Sequence, residues 1–289
     1  MIVIGINLGE TAFGKRLRDG GCCAVSSEGI LFAIAEERLT RQKGAGGFER
    51  SFQACTSELG LSADAIDLVV YSTCCEKARG MSPLLSIGLP PDKVVPIISH
   101  HLSHAYSAFL VSPFDESLVM VLDGGGNILD DTIESSDWWK CRREQHSYYV
   151  ARGTTIQLID RDFENAHEAG VGELYRAFTK YLGWHSYAYS GKTMALAALG
   201  DSKNFEHIGL FYFDGDKMRS RAVNTPMDPI GMVQRFASEN RLDLGTPRES
   251  GGEISNLVSP GPRSDQSDRC ASAIEREALE RGRVSNPSV

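Results

Sequence analysis

The sequence predicts an α/β protein of duplicated architecture, on three observations. Apolar, β-branched segments open two successive stretches of the chain, at residues 2–8 and 117–122. Each is followed by a pair of apolar runs joined through a glycine-containing turn, and then by a segment of helical spacing. Each also closes on glycines, Gly5-Ile6-Asn7-Leu8-Gly9 in the first stretch and Asp123-Gly124-Gly125-Gly126 in the second. Glycines at such strand ends let backbone N–H groups approach an anion closely.

In the first stretch, residues 2–8 read as a buried strand. Runs 22–26 and 30–35 flank Ser27-Glu28-Gly29, a tight turn, and so form a hairpin. Phe48, Phe52, Cys55 and Leu59 recur at helical spacing and stop at Gly60, a helix C-terminal signal. Residues 66–71 form a further strand, and Pro83, Pro90 and Pro91 mark the loop after it. Residues 94–98 are a short strand, assigned to a sheet edge because Pro96 has no N–H to give a ladder.

The second stretch repeats the scheme. Residues 117–122 are a strand, and 147–151 and 155–159 form a hairpin about Arg152-Gly153-Thr154. Helices are predicted over 173–182 and over 192–199, the latter ending at Gly200. A strand at 208–213 and a helix at 229–238 follow. Residues 242–268, rich in Gly, Pro, Ser and charge, read as a flexible loop, and 267–281 as a polar helix. The boundary between a first lobe (1–112) and a second (113–289) falls after the histidine-rich segment.

With 42% hydrophobic and 24% charged residues, the chain has the composition of a soluble globular protein. Its net charge of −8 argues against nucleic acid as a partner, which would call for a basic surface. Seven cysteines, including the adjacent pairs Cys22-Cys23 and Cys74-Cys75, match no zinc-site spacing. No secretory signal and no run of bilayer length is present, so a reduced, cytoplasmic protein without a membrane partner is expected.

Three of the seven histidines fall within five positions, in Ser99-His100-His101-Leu102-Ser103-His104-Ala105-Tyr106. On a helix, His100 and His104 share one face, and two such imidazoles can hold a divalent metal if a carboxylate or water completes the shell. The alternative is a polar first turn capped by Ser99. Asp123 likewise reads either as a ligand or as a capped turn. Ser190-Gly191-Lys192-Thr193 resembles the end of a phosphate-binding P-loop, but Ser186 stands where that loop requires glycine. Lys192 remains a point charge at a helix start. Arg38, Arg41 and Lys43, taken singly, read as a solvated charge run. Glu36 and Glu37 are assigned to a strand, where adjacent side chains face opposite ways and cannot act as an acid/base pair.

The tandem pattern resembles the actin-like ATPase (ASKHA) fold, two ribonuclease-H-like lobes facing across a cleft. Four segments, in order, resemble the N-terminal, threonylcarbamoyl-transferase-like domain of the NodU/CmcH-type O-carbamoyltransferases: 33–43 (AIAEERLTRQK), 100–109 (HHLSHAYSAF), 121–126 (VLDGGG) and 190–200 (SGKTMALAALG). The resemblance covers most of residues 1–200. It implies transfer of a carbamoyl group from carbamoyl phosphate, through an ATP-dependent carbamoyl adenylate, to a hydroxyl of a small-molecule or natural-product acceptor. It further implies a divalent metal (Fe, Mn or Mg) on His100, His104 and Asp123, with His101 packing instead. Arg38, Lys43, Gly124, Gly125, Gly126 and Lys192 become the phosphate contacts.

Departures from the family pattern qualify that expectation. Asp19 and Gly20 stand where relatives carry His-Asp or His-Asn, Gly44 replaces a histidine, and Asn7 replaces the aspartate of actin-like hydrolases. The Gly-Gly nucleotide loop, a further metal-binding aspartate and the YrdC-like domain of relatives are not visible, so the second lobe is expected to be incomplete and a YrdC-like partner chain to be needed. The alternatives are a non-catalytic binding or scaffold homologue, and a tRNA threonylcarbamoyl-type transferase, which would need basic charge for tRNA.

Overall fold

The apolar N-terminal segment forms β1 (Val3–Asn7), the centre of a five-stranded sheet. On one side it pairs antiparallel with β2 (Gly21–Ser26), which pairs antiparallel with β3 (Gly29–Ala35). On the other it pairs parallel with β4 (Leu68–Ser72), and β4 pairs parallel with β5 (Val94–Ile97). The sheet order is therefore β3-β2-β1-β4-β5. Pro96 lies on the edge strand, as its missing donor requires. Parallel pairing needs a crossover, and α2 (Glu49–Glu58) lies on the connection from β3 to β4. Ile4, Ile6, Cys22, Ala24, Val69 and Tyr71 bury one face of the sheet with Phe48, Cys55 and Ile66. Gly60, at φ +62°, ends α2 where the sequence places its stop.

Glu36 and Glu37 are not strand residues. They open a short helix, α1 (Glu36–Thr40). The β2–β3 ladder ends at the pair Gly21–Ala35, and the next N–H, that of Glu36, turns to the Gly20 carbonyl at 2.8 Å. With no strand partner left, two acids suit a helical first turn. Glu36 is fully buried, and its carboxylate accepts the N–H groups of Arg50 (3.2 Å) and Ser51 (2.8 Å), capping α2. Glu37 accepts the N–H of Gly44 at 2.7 Å.

Cys22 and Cys55 are both buried in this core. Burial pushes both thiols above their ordinary value of 9.0. Above pH 9 the unfolded Cys22 thiol ionises and the folded one does not, so the folded state holds more protons and stability falls as pH rises. The expected slope approaches ~1.4 kcal/mol per pH unit for this thiol. Urea denaturation at pH 8 and pH 10 measures it, and Cys22→Ala should flatten the decline.

The structure is a computed structural model that describes residues 1–9, 18–74, 84, 88, 90–129, 143–164, 168–184, 189–199, 208–215, 217–222, 228–242, 244 and 247. The chain divides into two units. One comprises Met1–Val121 and Gly126–Arg161, and the other Leu122–Gly125 and the chain from Asp162. Within the first unit, α3 (His100–Phe109) follows β5 directly. A second sheet has the order β6 (Glu116–Leu122), β7 (Glu144–Arg152), β8 (Thr155–Phe163). Ala105 and Phe109 of α3 share a core with Val119, Val121, Tyr149 and Ala151. The first unit thus takes in the β7–β8 hairpin, past the 112/113 boundary that the sequence pattern marks. Both hairpin strands are longer than their apolar runs, because polar residues at 144–146 and 160–162 continue them.

In the second unit, α4 (Val171–Tyr181), α5 (Ser190–Ala197) and α6 (Pro229–Glu239) accompany a hairpin of β9 (Phe211–Asp214) and β10 (Lys217–Ser220). Leu174, Phe178, Phe211, Met232, Val233 and Phe236 form its core, with the Phe178 and Phe236 rings 6.5 Å apart edge to face. Asp228 caps α6 by accepting the Gly231 N–H at 2.8 Å. α5 begins two residues before its predicted start, and β9 sits later than the predicted 208–213 strand. β10 has no apolar run to announce it. The 267–281 helix and most of the 242–268 loop lie outside the described residues.

Candidate metal centre

The site begins at the junction of β5 and α3. Ser99 is extended and buried, and its hydroxyl accepts the Leu102 N–H at 3.0 Å, so the N-cap expected from sequence is present. One turn into the helix, the Nε2 atoms of His100 and His104 stand 2.9 Å apart, their rings close to perpendicular at 86°. His101 turns the other way, is fully buried, and places Nδ1 2.8 Å from the Ser147 hydroxyl.

Asp123 follows β6 directly, two residues after Val121 and three before Gly126. It belongs, with the rest of Leu122–Gly125, to the second unit. Metal bonds of ~2.0–2.2 Å to nitrogen and oxygen put adjacent ligands about 3 Å apart at right angles. The 2.9 Å between the imidazole nitrogens, a hydrogen-bond distance, also fits that spacing. Two imidazoles on one helix face can serve as two ligands of a divalent metal.

The glycines after Asp123 divide in role. The Gly124 N–H points to Asp123 Oδ1 at 2.6 Å, and the Gly126 N–H is given to the Glu144 carbonyl at 2.8 Å. A Cβ at Gly126 would collide with the Glu144 side chain and the His101 ring, so this glycine permits close packing. Gly125 has φ +148°. Arg38 is exposed and paired with Glu37 at 3.3 Å, and Lys43 is exposed in the loop after α1. Lys192, in the second unit, lies 4.5 Å from the Tyr189 ring and 5.9 Å from that of Trp184, a cation–π arrangement. In the first strand-end turn, Asn7 donates its side-chain N–H to the Asp19 carbonyl at 2.8 Å.

Glu144 and Arg161 are buried polar partners of α3 that the sequence pattern does not reveal. Glu144 is fully buried and pairs with Arg161 at 3.0 Å beneath the first turn of α3. The signal that could have found it is Glu144-Gln145-His146-Ser147, four polar residues in a row on a strand and all buried.

Residues 91–219, which contain α3, Asp123 and α5, match the family described as carbamoyltransferase N-terminus. Over that stretch the chain is similar to carbamoyltransferase N-terminal domains. Nodulation protein NolNO of Sinorhizobium fredii is 28% identical over 210 residues, covering 64% of this chain and 28% of that protein. Nodulation protein NolO of Bradyrhizobium diazoefficiens is 30% identical over 135 residues, covering 46% of this chain and 21% of that protein. The chain therefore spans less than a third of either nodulation protein. Among solved structures, YeaZ from Pseudomonas aeruginosa is similar at a TM-score of 0.32 and 9% identity, over 57% of this chain and 68% of that one. Among the described residues, no helix is long and apolar enough to cross a membrane.

Proposed function

We propose that this domain serves an ATP-dependent O-carbamoyl transfer, with a divalent metal held by His100, His104 and Asp123. The observation that carries the reading is the pair of imidazoles, their Nε2 atoms 2.9 Å apart on one face of α3, within the stretch that matches the carbamoyltransferase family. The sheet order β3-β2-β1-β4-β5, with β2 antiparallel, supports a ribonuclease-H-like first lobe of an ASKHA fold.

When bound, the metal would offset phosphate charge and polarise the carbamoyl carbonyl. His100 and His104 present neutral nitrogens to it from one rigid helix face, and Asp123 supplies negative charge. Arg38 is suited to a bidentate grip on a phosphate, and Lys43 and Lys192 act as point charges. In the transfer step, the acceptor hydroxyl oxygen bonds to the carbamoyl carbon of carbamoyl adenylate. The bond from that carbon to the phosphate oxygen breaks, AMP leaves with the electron pair, and the hydroxyl proton passes to solvent.

A second reading, a domain that holds ligand without turnover, is favoured by Arg38 being paired with Glu37 and by Lys192 being stacked on aromatic rings. The test supplies the metal-loaded chain with radiolabelled carbamoyl phosphate, ATP, a YrdC-like domain and a hydroxyl acceptor. Labelled acceptor and AMP in equal amounts support transfer. Retention of ligand without AMP supports the holding role.

A further inference from the structure

β3 forms one edge of the five-stranded sheet, lies wholly within the first unit, and among the described residues pairs with β2 alone. Native proteins keep sheet edges from pairing further by charge, proline, shortness or bulges. The opposite edge follows that rule, since β5 has four residues, one of them Pro96, and begins directly after Lys93. The seven residues of β3, Gly-Ile-Leu-Phe-Ala-Ile-Ala, hold no charge and no proline. Ile30 is 73% exposed and Leu31 40%. The strand is irregular only at its start, where the ladder passes from the pair Val25–Ile30 to Ala24–Phe32 and skips Leu31. From Phe32 to Ala35 the pairing with β2 is regular, and Ala33 and Ala35 are exposed, small residues that leave the edge open to approach.

The two ends of the strand differ in charge. The turn before it exposes Glu28, whereas α1 after it exposes Arg38, and the loop beyond exposes Arg41 and Lys43. The acids at that second end are engaged within the chain, Glu36 on the start of α2 and Glu37 on Gly44 and Arg38. A strand that is apolar in the middle, acidic at one end and basic at the other is complementary to itself when turned antiparallel. A two-fold axis at Ala33 sets Ala33 against its own counterpart and Phe32 against Ile34, and brings Glu28 to the end where Arg38 stands. Symmetry makes that charge match twice. A partner strand of uniform charge would meet one end of β3 with repulsion.

We propose that β3 pairs antiparallel with β3 of a second copy of this chain, joining the two five-stranded sheets into one continuous sheet. The contact stands apart from the metal reading and does not depend on it.

Sedimentation velocity of the full 289-residue chain over a concentration series, with hydrogen exchange of the β3 amides read alongside, tests the pairing. The wild type is expected to pass from the 31.6 kDa chain to twice that mass as concentration rises, and exchange in β3 to slow in parallel while exchange in β5 does not. Ala33→Lys, at an exposed position, sets two lysines face to face at the axis and should weaken association by roughly tenfold or more. If that variant does not fold, Glu28→Lys carries the test. It should weaken association, and Arg38→Glu added to it should restore it, because the two charges are then exchanged. A chain that stays at 31.6 kDa throughout, a dimer that these variants leave intact, or β3 exchange that does not change with concentration overturns the proposal. Protection of β3 that arises only when a different protein is added overturns it as well.

Discussion

His104→Ala is expected to abolish stoichiometric binding of a divalent metal, and His100→Ala to do the same. Each removes one of the two imidazoles that α3 presents together, and a single imidazole cannot hold a labile ion against water. The loss should exceed the roughly 10- to 100-fold that outer-shell changes cost. Neither change should harm the fold greatly, since His104 is exposed and His100 half-buried. His101→Ala is the control with the opposite profile. His101 is fully buried beside Ser147, so its truncation should lower stability by about 1–3 kcal/mol while leaving one metal per chain. Elemental analysis after gel filtration, run beside thermal melts, separates the two behaviours. Metal retained in both His100→Ala and His104→Ala would remove these residues from the site.

The second large effect is structural. Glu36→Ala is expected to destabilise the first unit by about 3 kcal/mol, through two helix N–H groups left without their acceptor and the space vacated by the side chain. Arg50 and Ser51 donate to this carboxylate at the start of α2, in a region with no water-exposed alternative for Ser51. The midpoint of thermal unfolding should fall by roughly 6–12 °C for a domain of this size. Glu37→Ala, at a partly exposed site, should cost far less. Equal and small shifts for the two would show that the buried cap is not a main support of α2.

The strands were legible where apolar residues alternate or run together, as in β1, β4 and β6, and the turns were legible through their glycines. Legibility failed where polar residues are buried. Glu36 looks like part of a strand because only the end of the β2 ladder, at Ala35 immediately before it, tells it to turn into a helix. Glu144 and Arg161 carry no periodic signal, because their environment comes from α3 and from the turn after Asp123, both distant in sequence. That His100 and His104 share a helix face was legible, because helical spacing alone puts them there. Asp123 was not legible by itself, since an aspartate before glycines is equally a turn. Gly126 was expected to face an anion, whereas its N–H is given to Glu144.

X-ray absorption at the edge of Fe²⁺ or Co²⁺ bound to the chain tests the proposed centre most directly, since it counts the ligands. The expected result is one ion per chain, with two imidazoles and oxygen donors at ~2.0–2.2 Å and no sulfur. An ion with a single imidazole, a shell containing sulfur, or no stoichiometric ion would contradict the site on His100, His104 and Asp123.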